Sequence, residues 1–228
     1  MRFGKVCAMR FDRCCFMPLA LAALALVTTL RGGAAAVDAD ADKTALAVEA
    51  LGRLQGVDIN TNPKLKEAVL KVLEKTRGTA NFVKLVQQFK LAGQNEGLLE
   101  VAIAQPASES GVEAMRLLLG GDGTTLIEKT LSGTNTVAAT KTAEALGNTG
   151  ENKITKLLLP VVSEPKSDLA LRKQSVRSLA RTSEGAGELL KLAEAGTLPD
   201  DLKFTASTEL NAVRWLEING NSGSASPR

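Results

Sequence analysis

The sequence predicts an all-α protein, built as a right-handed stack of about five antiparallel helix pairs. Apolar residues recur every three or four positions in short segments that Gly, Asn, Pro or Ser separate. No window alternates apolar and polar residues with a period of two, so no strand is expected. The links are short, which makes successive helices antiparallel neighbours.

Each helix follows from its own start and stop signals. Apolar spacing from Ala45 to Leu54 predicts the first helix, which Gly56 ends. Asn62 is suited to cap the second helix, Pro63 to open it and Gly78 to end it. Further helices are expected near 80–89, 94–104, 108–119, 123–132, 135–146, 151–163, 167–181, 185–195 and 200–216.

The breaks between these helices are also predicted. Gly147-Asn148 and Ser163-Glu164-Pro165 are expected to separate helices. Pro160 lies inside the run LLLPVV and is expected to kink its helix. Pro199 is expected to start the last helix.

Internal repetition favours a stack over a closed bundle. Three pairs of identical residues are 33 positions apart: Leu146 and Leu179, Thr149 and Thr182, Glu151 and Glu184. Each copy ends one helix at Leu, turns at Thr and begins a helix with paired leucines, which are Leu157-Leu158 and Leu189-Leu190. A weaker copy contains Leu73, Thr76 and Leu85. One such hairpin cannot bury both its faces, so its core must come from stacking on its neighbours.

This pattern resembles the HEAT-like, armadillo-type helical repeats. The runs EALGNTGENKITKLLLPVV and LALRKQSVRSLARTSEGAGELLKLAEAGTLPDDLKFTASTELNAVRW are similar to the helical segment of large exported bacterial proteins of the membrane-bound-dehydrogenase and c-type haem class. In that class the helices follow a propeller dehydrogenase domain and precede a cytochrome c domain. Here no propeller precedes them and no C-x-x-C-H follows, so the resemblance implies the helical module alone, without haem.

The N-terminus predicts export. Basic residues precede an apolar run from Cys14 to Leu30, and Ala34 and Ala36 form an A-x-A cleavage pattern. We therefore expect a signal peptide over 1–36, an acidic leader over 37–42, the repeat domain over 43–216 and a disordered tail over 217–228. The alternative is an uncleaved membrane anchor, which would be the chain's one membrane contact. The predicted location is the periplasm or cell envelope.

Composition limits the chemistry. The chain has no histidine and no tyrosine, and its cysteines are Cys7, Cys14 and Cys15. Removal of residues 1–36 leaves 23 basic and 24 acidic residues, a balance that does not suggest a nucleic-acid binder. No carboxylate pair or activated serine has a recognisable context. We expect neither a catalytic site nor a metal or cofactor.

The candidate partner contact is a basic stripe, Lys173, Arg177 and Arg181, at four-residue spacing with Arg172 beside it. The alternative is an ordinary solvated helix face that pairs with Asp168 and Glu184. The sole tryptophan, Trp215, is expected at the edge of the core. If the array lacks a terminal cap, we also expect concentration-dependent self-association through the last helix.

Two motif matches are set aside. Asp38, Asp40, Asp42 and Glu49 match the acidic positions of an EF-hand loop, but Lys43 stands where that loop needs glycine. The run 120–125, GGDGTT, is glycine-rich like a phosphate loop, but it lacks the lysine and a preceding strand. We expect a solubilising leader and an inter-helix turn, respectively.

The expected function is a non-catalytic scaffold that binds a protein partner in the bacterial envelope. The alternative is a docking or spacer module of a split haem-containing dehydrogenase, with a c-type cytochrome or a propeller dehydrogenase as its partner. A weaker third possibility is a HEAT-type lyase that attaches bilins, for which no acidic or cysteine site is evident.

Overall fold

A computed structural model describes residues 34–54 and 56–221, and its regular elements there are all helices. This confirms the all-α prediction. The chain divides into two units, Met1–Ala41 and Asp42–Arg228, and the contacts described below lie within the second. Most of the predicted signal peptide, 1–36, lies outside the described residues, as does the tail beyond 221.

Eleven helices are described in this part of the chain, with a 3₁₀ turn at Ile59–Thr61 between the first two. They are α1 Ala34–Gly52, α2 Pro63–Lys75, α3 Ala80–Phe89, α4 Asn95–Ala104, α5 Glu109–Gly120, α6 Thr124–Leu131, α7 Thr136–Thr149, α8 Ile154–Ser163, α9 Leu169–Ala180, α10 Ser183–Glu194 and α11 Asp200–Asn221.

The predicted start of α2 is confirmed in atomic detail. The side-chain oxygen of Asn62 accepts a hydrogen bond of 3.2 Å from the backbone N–H of Leu65. Pro63 follows at the first helical position, where no N–H is needed. Gly78 turns the chain towards α3 with a φ of 79°, a left-handed value that favours glycine.

Two predicted boundaries differ from the observed helices. Helix α1 begins at Ala34, so the expected leader 37–42 is helical and continuous with the first predicted helix. Helix α11 continues to Asn221, beyond the expected domain end at residue 216.

Gly147-Asn148 is not a break, contrary to prediction. Both residues lie within α7, which continues to Thr149, and the left-handed Gly150 follows with a φ of 68°. The glycine inside the helix has a packing role that its sequence position conceals, because it lies against α9.

The helices contact one another in chain order. Helices α3, α5, α7, α9 and α11 form one row in which each contacts the next, and α4–α6 and α8–α10 are contacts in a second row. Over the described helices, substantial contacts join elements no more than three positions apart in chain order. Contacts of this kind bury a core locally along the chain.

The core is aliphatic, as the composition requires. One continuous cluster of buried side chains extends from Leu51 to Ala206, and its members are mainly Leu, Val, Ala and Ile. Phe82, Phe89 and Met115 are its larger members. Because its side chains are mostly aliphatic and small, this core allows the helices to pack close together.

Candidate functional site

The predicted basic stripe lies on α9, but its members turn to different neighbours. Arg177 Nε lies 3.6 Å from Glu209 Oε1 on α11. Arg181 caps the end of α9 and donates a hydrogen bond to the side-chain oxygen of Asn148 on α7. Lys173 is partly buried. The two arginines thus help to hold α9 between its neighbours, and both remain exposed to solvent.

The alternative prediction, that the stripe pairs with Asp168 and Glu184, is wrong about both partners. Asp168 caps the N-terminus of α9, where its Oδ1 accepts hydrogen bonds from Ala170 N at 2.9 Å and Leu171 N at 3.2 Å. Glu184 is exposed on α10. The glutamate that meets the stripe is Glu209, which lies 32 residues beyond Arg177 and was not identifiable from helical spacing.

Arg172, named in the sequence only as a neighbour of the stripe, is the buried cation of this region. Its side chain is 6% exposed, and Nη1 lies 2.7 Å from Asp201 Oδ2 on α11. Nη2 donates to the other carboxylate oxygen at 3.3 Å, and Nε donates to the carbonyl of Val162 on α8 at 3.4 Å. One guanidinium therefore joins α8, α9 and α11.

The α7–α9 interface is close because small residues face each other. Ser178 Oγ donates a 2.6 Å hydrogen bond to the carbonyl of Ala143. A Cβ on Gly147 would lie 2.5 Å from Ser178 Oγ and 2.8 Å from its Cα. Glycine is thus the residue that the approach of the two helices requires.

The threonines of the predicted repeat share one role. The hydroxyls of Thr76, Thr149 and Thr182 each donate to the carbonyl three residues earlier, at 3.1, 2.7 and 3.2 Å. Those carbonyls belong to the repeat leucines Leu73, Leu146 and Leu179, which are buried. The turn half of the repeat is therefore structural.

The paired leucines of the two copies differ in burial. Leu158 and Leu189 are buried, but Leu190 is 49% exposed. The turns of the two copies also differ in length, since α8 begins five residues after Thr149 and α10 begins directly after Thr182.

A cavity of about 630 Å³ lies between α3 and α5. Its polar groups are largely used within the chain: Gln87 Nε2 donates to Glu113 Oε1 at 2.7 Å, and Arg116 Nη1 lies 3.7 Å from Glu113 Oε2. Arg116 also donates to the carbonyl of Thr149 on α7 at 3.2 Å. These contacts join neighbouring helices of the first row.

A second concave region lies between α6 and α8. Two adjoining cavities of about 540 and 380 Å³ share Glu128, Lys156 and Leu157 as lining residues. We call their union the α6–α8 groove. The α8 wall is a helical stripe that contains Lys153, Lys156, Leu157, Pro160, Val161 and Glu164.

Shifted pKa values occur at ion pairs on exposed helix surfaces. A hydrogen bond from Lys71 lowers the pKa of Glu67, and one from Lys203 lowers the pKa of Asp200. A hydrogen bond to Glu100 raises the pKa of Arg77. The Glu67–Lys71 and Asp200–Lys203 pairs lie within single helices, whereas Arg77, just after α2, is paired with Glu100 on α4.

The two motif matches are resolved by local structure. Residues 38–49 lie in α1, so they do not form an EF-hand loop. The glycine-rich run links α5 to α6, and Asn95 Nδ2 donates to Asp122 Oδ1 at 2.8 Å across that turn. Pro160 lies inside α8 as predicted. The side chain of Trp215 is outside the described residues.

Two further kinds of feature are absent from the described residues. No group of three or more His, Cys, Asp or Glu residues there is arranged to hold a metal ion. No described helix is long and apolar enough to cross a membrane.

Comparison with known proteins gives no relative. No protein-family model, curated protein or solved structure matches the chain.

Proposed function

We propose that this chain is a non-catalytic, HEAT-like α-solenoid of about five antiparallel helix pairs, which binds a protein partner in the bacterial envelope. The observation that carries the proposal is the order of helix contacts. Helices α3, α5, α7, α9 and α11 each contact the next, and no substantial contact joins the last helices to the first among those described. An array of this kind offers an extended surface for its length.

Polar ties between successive first-row helices support the same arrangement. Arg181 binds Asn148 at the C-terminal ends of α9 and α7, and Arg172 binds Asp201 at the N-terminal ends of α9 and α11. These pairs imply that α7, α9 and α11 run in the same direction. Parallel first helices with intervening second helices are the geometry of a stacked hairpin array.

The stripe on α9 is the proposed contact for an acidic patch on the partner. Arg177 and Arg181 are exposed at positions where the row of helices is tied together, so their charges are held in place. Lys173 has no intramolecular ion partner among the described residues. Such fixed charge on a rigid surface favours recognition over a broad, non-specific attraction.

The test is a pull-down with residues 37–228 from envelope extract, with mass spectrometry of the bound proteins. Lys173→Glu and Arg177→Glu are compared with Lys64→Glu, a matched charge reversal on exposed α2. Circular dichroism shows that each variant is folded. The proposal predicts specific proteins that are lost with the α9 variants and retained by the control.

The identity of the captured protein separates the two roles. A c-type cytochrome or a propeller dehydrogenase would support a docking module for electron transfer. Other envelope proteins would support an independent scaffold. Equal recovery by the wild type and both α9 variants would contradict the stripe as the contact.

A further inference from the structure

The second row of helices is interrupted at one point. Helices α4 and α6 contact each other, and so do α8 and α10, but α6 and α8 make no comparable contact. The α6–α8 groove lies in this gap. Helix α6, Thr124–Leu131, is 8 residues long.

The groove has an apolar floor. Leu119 and Leu131 are buried beneath it, while Leu157 and Val161 are partly buried and contact the core from α8. The α8 wall extends from Lys153 to Glu164, about 16 Å at the rise of an α-helix. This length matches about three turns of a helix laid alongside.

The rim of the groove carries charges of both signs. Lys153 and Lys156 on one wall and Glu128 on the other make no side-chain hydrogen bond or ion pair among the described residues, and Glu164 and Glu184 line the groove beside them. By contrast, ion pairs form on the neighbouring surfaces, as Lys191 does with Glu188 at 2.7 Å. A bound segment with the opposite charges would satisfy these groups.

Pro160 lies on the same wall. Proline has no N–H, so it cannot donate to the carbonyl of Lys156 one turn earlier in α8. Both residues line the groove.

We propose that the α6–α8 groove binds an amphipathic helix of a partner protein, about three turns long. Its apolar stripe covers Leu157 and Val161, an acidic residue faces Lys153 and Lys156, and a basic residue faces Glu128. The inference rests on the proposed scaffold function and names a second contact, which is separate from the α9 stripe.

The experiment uses the full chain as the target of a displayed library of amphipathic helices, each about 18 residues long, with randomised polar positions. Enriched helices are synthesised and titrated by fluorescence anisotropy. Two groove variants are tested: Lys153→Glu with Lys156→Glu, and Pro160→Trp, which places a large ring over the floor. Their matched controls are Lys64→Glu with Lys84→Glu, and Leu70→Trp on α2.

The proposal predicts enriched helices that carry acidic residues and lose about tenfold or more in affinity with both groove variants. The controls should change affinity less than about twofold. Enriched helices that bind wild type and groove variants equally, or no enrichment over a Pro160→Trp target, would overturn it. Binding lost only with Lys173→Glu would also overturn the groove, but it would support the scaffold function through the α9 stripe.

Discussion

Gly147→Ala tests the close packing of α7 against α9. Alanine favours a helix by about 1 kcal/mol over glycine, so an isolated helix would gain stability. Here the new Cβ would lie 2.5 Å from Ser178 Oγ and 2.8 Å from the backbone Cα of Ser178. The α9 backbone cannot rotate away as a flexible side chain could, so the two helices must separate.

The two effects have opposite signs, and the steric effect is the larger. Overpacking of this kind costs about 1–3 kcal/mol. Separation also stretches the 2.6 Å bond from Ser178 to Ala143, whose loss costs about 1 kcal/mol more. After the alanine gain we expect a net loss of about 1–3 kcal/mol in the free energy of unfolding, measured by urea denaturation with circular dichroism.

Gly187→Ala is the matched control. Gly187 lies within α10, and a Cβ there would meet nothing within 4 Å. Only the preference of alanine for the helix then acts, so the free energy of unfolding of this variant should rise by up to about 1 kcal/mol. A Gly147→Ala protein as stable as the wild type, or more so, would refute the close α7–α9 packing.

Three further predictions concern the Arg172–Asp201 pair, the Glu67–Lys71 pair and the exposed side chain of Phe204. Asp201→Asn leaves Arg172 buried and unpaired, so it should lower the free energy of unfolding by about 2 kcal/mol, which is less than for a fully buried pair because the Asp201 side chain is 41% exposed. Arg172→Met removes the buried charge itself and should lower the free energy of unfolding by less than Asp201→Asn does. A double-mutant cycle checks this. The lowered pKa of Glu67 means that its pairing with Lys71 stabilises the protein above the ordinary carboxyl pKa and is lost as the pH falls through the lowered value. Glu67→Gln should therefore lower the melting temperature slightly at pH 7 and not at pH 2, and a deficit that persists in acid would contradict this. Phe204, 82% exposed on α11, should promote self-association that Phe204→Ser reduces in light scattering, and a wild-type monomer at high concentration would contradict it.

Much of the helical pattern was predictable because local signals coincide with it. The Asn62-Pro63 start needs only neighbouring residues, and the repeat threonines act on carbonyls three positions back. Periodicity therefore located α2 to α11 within a few residues. The predicted stripe also lies on one helix, because side chains four residues apart share a helix face whatever the tertiary structure.

The rest depended on contacts between distant parts of the chain. Gly147 has the sequence character of a helix stop, but its role follows from Ser178, 31 residues later. The sequence places Arg172 only beside the basic stripe, and the approach of Asp201 shows that it is buried and paired. The pairing of Leu189 with Leu190 in the sequence likewise does not show that the first is buried and the second exposed. The α6–α8 groove lies where these two helices make no substantial contact, and no residue pattern in the sequence predicts that gap.

Native-state hydrogen exchange on Gly147→Ala tests the central claim of a stacked array most directly. If each helix pair depends on its neighbours, amide protection should fall in α7 and α9 and change little in α2 and α3, which have no substantial contact with either helix. A similar fall in protection from α2 to α11 would indicate one cooperative core and would contradict the array.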